Sequence, residues 1–234
     1  MRTSAIALLL PAVLLSGASG SNSGAHLLAP GAPDPSVAQI KFSYENTQLQ
    51  PARYVLTVGE NGSGRYRSEA GSQPPADKSE LPVRGQDREI RISQATREKM
   101  FQIAKASRYF AMDCDGGGNH VAFQGTKTLE FRGAEGQGSC TYNWTKNKQI
   151  QLITDDFQAI SLTLEEGARL DMEYEHSRLS LDPELELLAG FAKQGRAIEL
   201  ENIAPVLEKV AKDDAILKRA QRRARELLAI AKDE

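Results

Sequence analysis

Residues 39–44, QIKFSY, decide the fold, because apolar and polar side chains first alternate strictly there. The side chains of Ile40, Phe42 and Tyr44 fall on one side of an extended chain, and the polar side chains between them fall on the other. A period of two residues is typical of a β-strand with one buried face and one exposed face. The sequence therefore predicts a sheet that buries a single side.

The same alternation returns in several later segments. Tyr54, Leu56 and Val58 repeat it, and the turn-forming stretch GENGSG at 59–64 is followed by a short strand, so residues 52–68 predict a hairpin. Three more strands are predicted: around Ile90 and Ile92, around Leu129 and Phe131, and over Cys140, Tyr142 and Trp144. The last two form a hairpin across the stretch GAEGQG at 133–138. Together these segments indicate an antiparallel sheet of five to six strands.

Two segments have the apolar spacing of helices that cover a sheet. Ser93 is a suitable N-cap for a helix that ends near Ser107. From 150 to 164, apolar residues recur every three or four positions, and this second helix begins after Asn147 or after Thr154. The order of strands and helices predicts an α+β fold with two helices on one face of the sheet.

The C-terminal part of the chain is rich in helix formers. Gly167 weakens the end of the second helix without necessarily ending it. Asp182-Pro183 predicts the start of a short helix that ends near residue 192. Apolar stripes at 203–210 and 216–228, with a short turn between them, predict an αα-hairpin. We expect a sheet domain at 36–176 and a C-terminal helical extension at 177–234.

The N-terminus predicts export from the cell. Residues 1–20, MRTSAIALLLPAVLLSGASG, contain one positive charge, a short apolar run and small residues, which is the pattern of a secretory signal peptide. The apolar run is too short to span a bilayer, which takes about 20 residues. Residues 21–35 are rich in Ser, Gly and Pro and predict a flexible spacer. We therefore expect a soluble protein without a membrane span, secreted or periplasmic, in the bacterial envelope.

The charge balance excludes a strong attraction to polyanions. The chain has 29 basic and 31 acidic side chains, a net formal charge of −2. Such a chain has no overall field that would steer it toward nucleic acid or anionic lipid. A basic cluster at 218–225 is flanked by acidic residues, so we interpret it as the solvated polar face of a helix.

The stretch DCDGGGNH at 113–120 resembles a metal loop in composition but not in spacing. A calcium loop of the EF type needs ligands at its fifth and twelfth positions, which here are Gly117 and Gln124. A zinc site needs four ligands of the Cys or His kind. Cys114 and Cys140 are the chain's two cysteines, and an exported protein tends to pair its thiols. The sequence therefore predicts a Cys114–Cys140 disulfide, with no metal and no cofactor.

For function, the sequence leaves two hypotheses. It contains none of the local motifs of serine hydrolases or zinc proteases, and residues 70–86 form a long proline-rich connection of the kind that is functional or disordered. The favoured hypothesis is a non-enzymatic binding module that contacts a protein or envelope partner with the exposed sheet face or with this connection. The alternative is a hydrolase that uses His120 with Asp113 or Asp115 as an acid/base pair.

Overall fold

The computed structural model describes residues 37–70, 84–117 and 121–234. Within these ranges the chain has an α+β fold with one antiparallel sheet of six strands and five α-helices. The predicted fold class is therefore confirmed. The predicted signal peptide at 1–20, the spacer at 21–35 and most of the 70–86 connection lie outside the described residues.

The segment that sets the alternating pattern, β1 (Gln39–Glu45), lies inside the sheet and pairs with a strand on each side. The other strands are β2 (Arg53–Gly59), β3 (Ser63–Glu69), β4 (Asp87–Arg91), β5 (Thr126–Gly133) and β6 (Gly136–Tyr142). Their order across the sheet is β4-β3-β2-β1-β5-β6, and all neighbours are antiparallel. Ile40, Phe42 and Tyr44 are buried, as their alternation predicts.

Both predicted hairpins are present, but β6 is shorter than predicted. The β2–β3 turn places Gly62 at a φ of +80°, a conformation that favours glycine. β6 ends at Tyr142, so the prediction that Trp144 belongs to this strand is wrong. Residues 143–147 form the connection to the next helix, and in it the hydroxyl of Thr145 accepts a hydrogen bond from the backbone N–H of Asn147 at 3.1 Å.

Two helices cover one face of the sheet, α1 (Gln94–Ala106) and α2 (Lys148–His176). The hydroxyl of Ser93 caps α1 by accepting a hydrogen bond from the Thr96 N–H at 3.4 Å, as predicted. α2 starts at the earlier of its two possible caps, because Asn147 Oδ1 accepts hydrogen bonds from the first backbone N–H groups of the helix. The apolar stripes of both helices pack in one core with the buried side of the sheet.

The C-terminal part forms three further helices. They are α3 (Leu181–Lys193), α4 (Ala204–Lys212) and α5 (Lys218–Asp233). α4 and α5 form the predicted αα-hairpin. The cap of α3 is Ser180 and not Asp182, so that boundary prediction is wrong by two residues. Asp182 does not cap the helix because its carboxylate binds the guanidinium groups of Arg219 and Arg223 on α5.

α2 links two hydrophobic cores. Its first half reaches the sheet core, where the ring of Phe157 stacks on Phe42 with centroids 5.0 Å apart. Leu170, one turn after Gly167, belongs instead to the core of the C-terminal helices. Gly167 lies against Ile203, and a Cβ atom at this position would overlap the Ile203 side chain. α2 continues past Gly167 to His176, so this glycine does not end the helix. Because Gly167 has no side chain, the C-terminal segment can approach α2 closely.

Two polar side chains fasten the segment before α4 to the sheet domain. The carboxylate of Glu199 accepts hydrogen bonds from the backbone N–H and the hydroxyl of Ser93, both at 2.8 Å. The amide of Asn202 accepts from the backbone N–H of Arg91 and donates to its C=O, again both at 2.8 Å. Asn202 thus pairs with the end of β4 as a neighbouring strand would. The C-terminal helices dock on the sheet domain of the same chain.

We expect Gly167→Ala to destabilise the protein by about 1–3 kcal/mol, the usual cost of an added group in a packed core. Gly190 provides the matched control, since it lies inside α3 and a Cβ there would meet nothing within 4 Å. Gly190→Ala should stabilise the protein by about 0.5–1 kcal/mol through helix propensity. Urea unfolding of both variants measures the difference, and equal effects at the two glycines would contradict the close packing at Gly167.

Candidate functional site

The outer face of the sheet, defined here as the side opposite α1 and α2, is the candidate interaction surface. It carries the residues that alternate with the buried ones along each strand. A row of short side chains crosses its middle, with Val55, Ser43 and Thr128 side by side on β2, β1 and β5. Longer charged side chains surround this row, so its centre is open to a partner.

Most charged groups on the outer face are paired with each other. Lys41 Nζ lies 2.7 Å from Glu130 Oε1, between adjacent strands. Arg65 binds both carboxylate oxygens of Asp87, at 2.6 and 2.9 Å. The hydrogen bond from Arg65, together with one from Arg67, lowers the pKa of Asp87 to about 2. Exposed pairs of this kind contribute little stability, about 0–1 kcal/mol each.

A shallow depression lies toward one end of this face. It has a volume of about 140 Å³ and is lined by Gln39, Lys41, Thr57, Glu130 and Arg132. Its walls offer two cations, a carboxylate, a hydroxyl and an amide within one small area. Such a set can donate hydrogen bonds to a polar partner and accept them from it.

One edge of the sheet is partly taken by the chain itself. At β4, Asn202 occupies the backbone N–H and C=O of Arg91. Strand addition at this position would have to displace Asn202. At β6, the short 3₁₀ segment Arg108–Phe110 lies on the inner face, where a Cβ on Gly136 would lie 2.5 Å from the ring of Tyr109. The inner face of β6 is thus covered like the rest of the buried side of the sheet.

The cysteine loop is tied to the β6 side of the sheet, as predicted. The Sγ atoms of Cys114 and Cys140 lie 2.01 Å apart, at disulfide distance, and both residues are buried. The backbone N–H of Gly116 donates a hydrogen bond to the C=O of Trp144 at 2.7 Å. A Cβ on Gly116 would overlap the Trp144 ring, so glycine lets the loop lie flat on the indole.

The two aspartates of this loop stabilise turns. Asp113 Oδ1 accepts a hydrogen bond from the Asp115 N–H at 3.0 Å, and Asp115 Oδ1 accepts one from the Gly117 N–H at 3.2 Å. His120, their partner in the hydrolase hypothesis, lies outside the described residues. Across residues 37–70, 84–117 and 121–234, no group of three or more His, Cys, Asp or Glu side chains could hold a metal ion.

The basic cluster at 218–225 has a structural role in part. Arg219 and Arg223 bind the buried carboxylate of Asp182, and the side chain of Arg223 is only 18% exposed. The prediction of a fully solvated face is therefore wrong for Arg223, because this side chain joins α5 to α3. Lys218 and Arg222 are exposed and pair with acidic residues four positions away, as expected for a helix surface.

One buried lysine was not predicted from the sequence. Lys127 lies on β5 at an inward position, two residues before Leu129, and is 6% exposed. Its ammonium group donates hydrogen bonds to three backbone carbonyls, those of Gln124, Gly125 and Asn143, at 2.9–3.3 Å. Burial lowers the pKa of its amine. The alternation along β5 could have revealed this lysine, which holds the segment before the strand against the end of β6.

The chain matches no protein-family model and no curated protein. No described helix is both long enough and apolar enough to cross a membrane.

Replacing both cysteines, Cys114→Ala with Cys140→Ala, should destabilise the protein by about 3 kcal/mol, the chain-entropy value for a loop of this length. The pair lies 26 residues apart in the sequence. Guanidinium unfolding with and without reductant measures the effect. Reductant should lower the unfolding midpoint of the native protein and leave that of the double variant unchanged. If reductant does not change the midpoint of the native protein, the disulfide does not stabilise the fold.

Proposed function

We propose that the protein is an exported, non-enzymatic binding module that contacts a protein or another envelope component with the outer face of its sheet. The observation that carries this proposal is that no helix in the described part of the chain packs on the outer face. Six strands present it, both helices of the sheet domain pack on the opposite side, and the described C-terminal helices pack beside α2.

The surface chemistry favours a partner recognised by shape and hydrogen bonds. Lys41, Arg65 and Arg53 already have acidic neighbours on the face, so little unpaired charge is left to attract a polyion. The central row of Val55, Ser43 and Thr128 offers short side chains over which another surface can pack closely. Interfaces of the non-obligate kind have this mixture of polar and apolar area.

Export is supported by two independent features. The N-terminal sequence has the three regions of a signal peptide. The cysteine pair lies at disulfide distance, and disulfides persist in oxidising compartments such as the periplasm or the cell exterior.

The hydrolase hypothesis has less support. The hydrogen bonds that Asp113 and Asp115 accept come from backbone N–H groups of their own loop, as in a turn. Neither aspartate is set apart by burial as a proton donor would be.

Variants at the centre of the outer face test the proposal. Ser43→Arg adds a long charged side chain to the middle row, and Ser43→Gln adds bulk without charge. Both should reduce capture of the partner from an envelope extract at least tenfold, because they prevent close packing on β1. Retention of the partner on immobilised wild-type and variant protein is measured at equal loading.

Gln102→Arg is the control, because it makes a similar change on the exposed side of α1. It should leave capture unchanged. If Ser43→Arg retains the partner at the wild-type level, the outer face is not the binding surface. Loss of capture on deleting residues 72–84, with Ser43→Arg unaffected, would assign binding to the proline-rich connection instead.

A further inference from the structure

A group of acidic side chains lies where α2 meets α3. None of these side chains belongs to the outer face of the sheet. Glu166 and Glu173 lie two turns apart on the same side of α2 and are 8% and 7% exposed. Glu184 reaches the same region from the first turn of α3. A carboxylate is seldom buried to this extent unless a cation or several hydrogen-bond donors accompany it.

These carboxylates lack the partners that burial requires. One oxygen of each, Oε2 of Glu166, Glu173 and Glu184, is buried without a hydrogen bond. Arg169 is the cation beside them, with Nε at 4.0 Å from Glu166 and Nη1 at 3.7 Å from Glu184. These distances are longer than those of charge-assisted hydrogen bonds. Arg169 is also 47% exposed, so solvent screens its charge.

The neighbouring charged groups of α2 and α3 are engaged elsewhere. Asp171 of α2 pairs with Lys209 of α4 at 2.9 Å. Glu165 accepts a hydrogen bond from the buried hydroxyl of Tyr66 on β3 at 2.6 Å. On α3, Asp182 binds Arg219 and Arg223 of α5. The group Glu166, Glu173 and Glu184, with Arg169, is therefore left to balance its own charge.

We propose that the α2–α3 contact is a pH-responsive element, in which the buried carboxyl groups of Glu166 and Glu173 hold the two helices together when they take up protons in mildly acidic solution and loosen them when they ionise near neutral pH. The proposal does not depend on the proposed function. In the protonated state, a carboxylic acid can donate a hydrogen bond to a neighbouring carboxylate. In the ionised state, three negative charges face one partly solvated guanidinium group.

The direction of the effect follows from the pKa shifts. Burial, followed by the charge of Glu184, raises the pKa of Glu173 to about 7. Burial also raises the pKa of Glu166, which Arg169 partly opposes. In the unfolded chain a glutamate titrates near its ordinary pKa of about 4.3. The folded protein therefore binds more protons than the unfolded chain over this interval, and its stability should fall as pH rises through about 5 to 7.

Glu173→Gln tests this proposal, because the amide cannot ionise. Each unit of pKa difference is about a tenfold factor in the unfolding equilibrium constant. For the native protein we expect that constant to rise at least about tenfold from pH 5 to pH 7.5. Glu173→Gln should remove most of this rise. Glu175→Gln, an exposed position two residues away, is the matched control and should keep it.

Two direct measurements on the native protein complete the test. The carboxyl carbon of Glu173, followed by NMR, should titrate well above the ordinary glutamate pKa of about 4.3. Amide exchange, corrected for its intrinsic pH dependence, should show protection in α3 falling relative to α1 as pH rises, and Glu173→Gln should abolish that change. The proposal is overturned if Glu173 titrates at the ordinary glutamate pKa, or if Glu173→Gln keeps the native pH dependence of stability. It is also overturned if α1 and α3 lose amide protection equally as pH rises.

Discussion

The structure depends on one close contact, that between Gly167 of α2 and Ile203 in the C-terminal segment. α2 has 29 residues, so at 1.5 Å per residue it is about 43 Å long. This length is more than the sheet domain alone needs to cover its core. The extra turns supply one wall of the second core, and a side chain at position 167 would force the two cores apart.

The ties beyond this contact close one end of the sheet and its inner side. Asn202 covers the end of β4, and the buried Cys114–Cys140 pair holds its segment to the inner side of β6. Unpaired strand edges invite association with other chains, and natural proteins cover or shorten them. Asn202 does so at the end of β4, whereas the row of short side chains and paired charges on the outer face lies on the other side of the sheet from these ties.

Sequence periodicity predicts the elements of this fold better than their connections. Alternation located five of the six strands, and the turn at 59–64 located β3. Apolar spacing located both sheet helices, with Ser93 as the cap of the first and either Asn147 or Thr154 as the cap of the second. The cap of α3 was misplaced because Asp182 is bound by arginines about 40 residues later. No local pattern indicates that Glu199 and Asn202 reach back more than 100 residues to β4 and α1, since such contacts arise only when the chain is folded.

The two proposed properties lie in separate parts of the structure, one on the side of the sheet away from α2 and the other where α2 meets α3, and this separation has a consequence. The first half of α2 is fixed to the sheet by buried contacts such as Phe157 on Phe42, which carry no titratable group. Glu166 and Glu173 lie in the second half of α2, on either side of Gly167, and Glu184 lies on α3. Loosening α3 therefore removes contacts from the second core without disturbing the strands that shape the outer face. A pH-dependent change in that face would have to pass through the contacts that join the second half of α2 to the sheet, such as the hydrogen bond from the hydroxyl of Tyr66 to Glu165 at 2.6 Å.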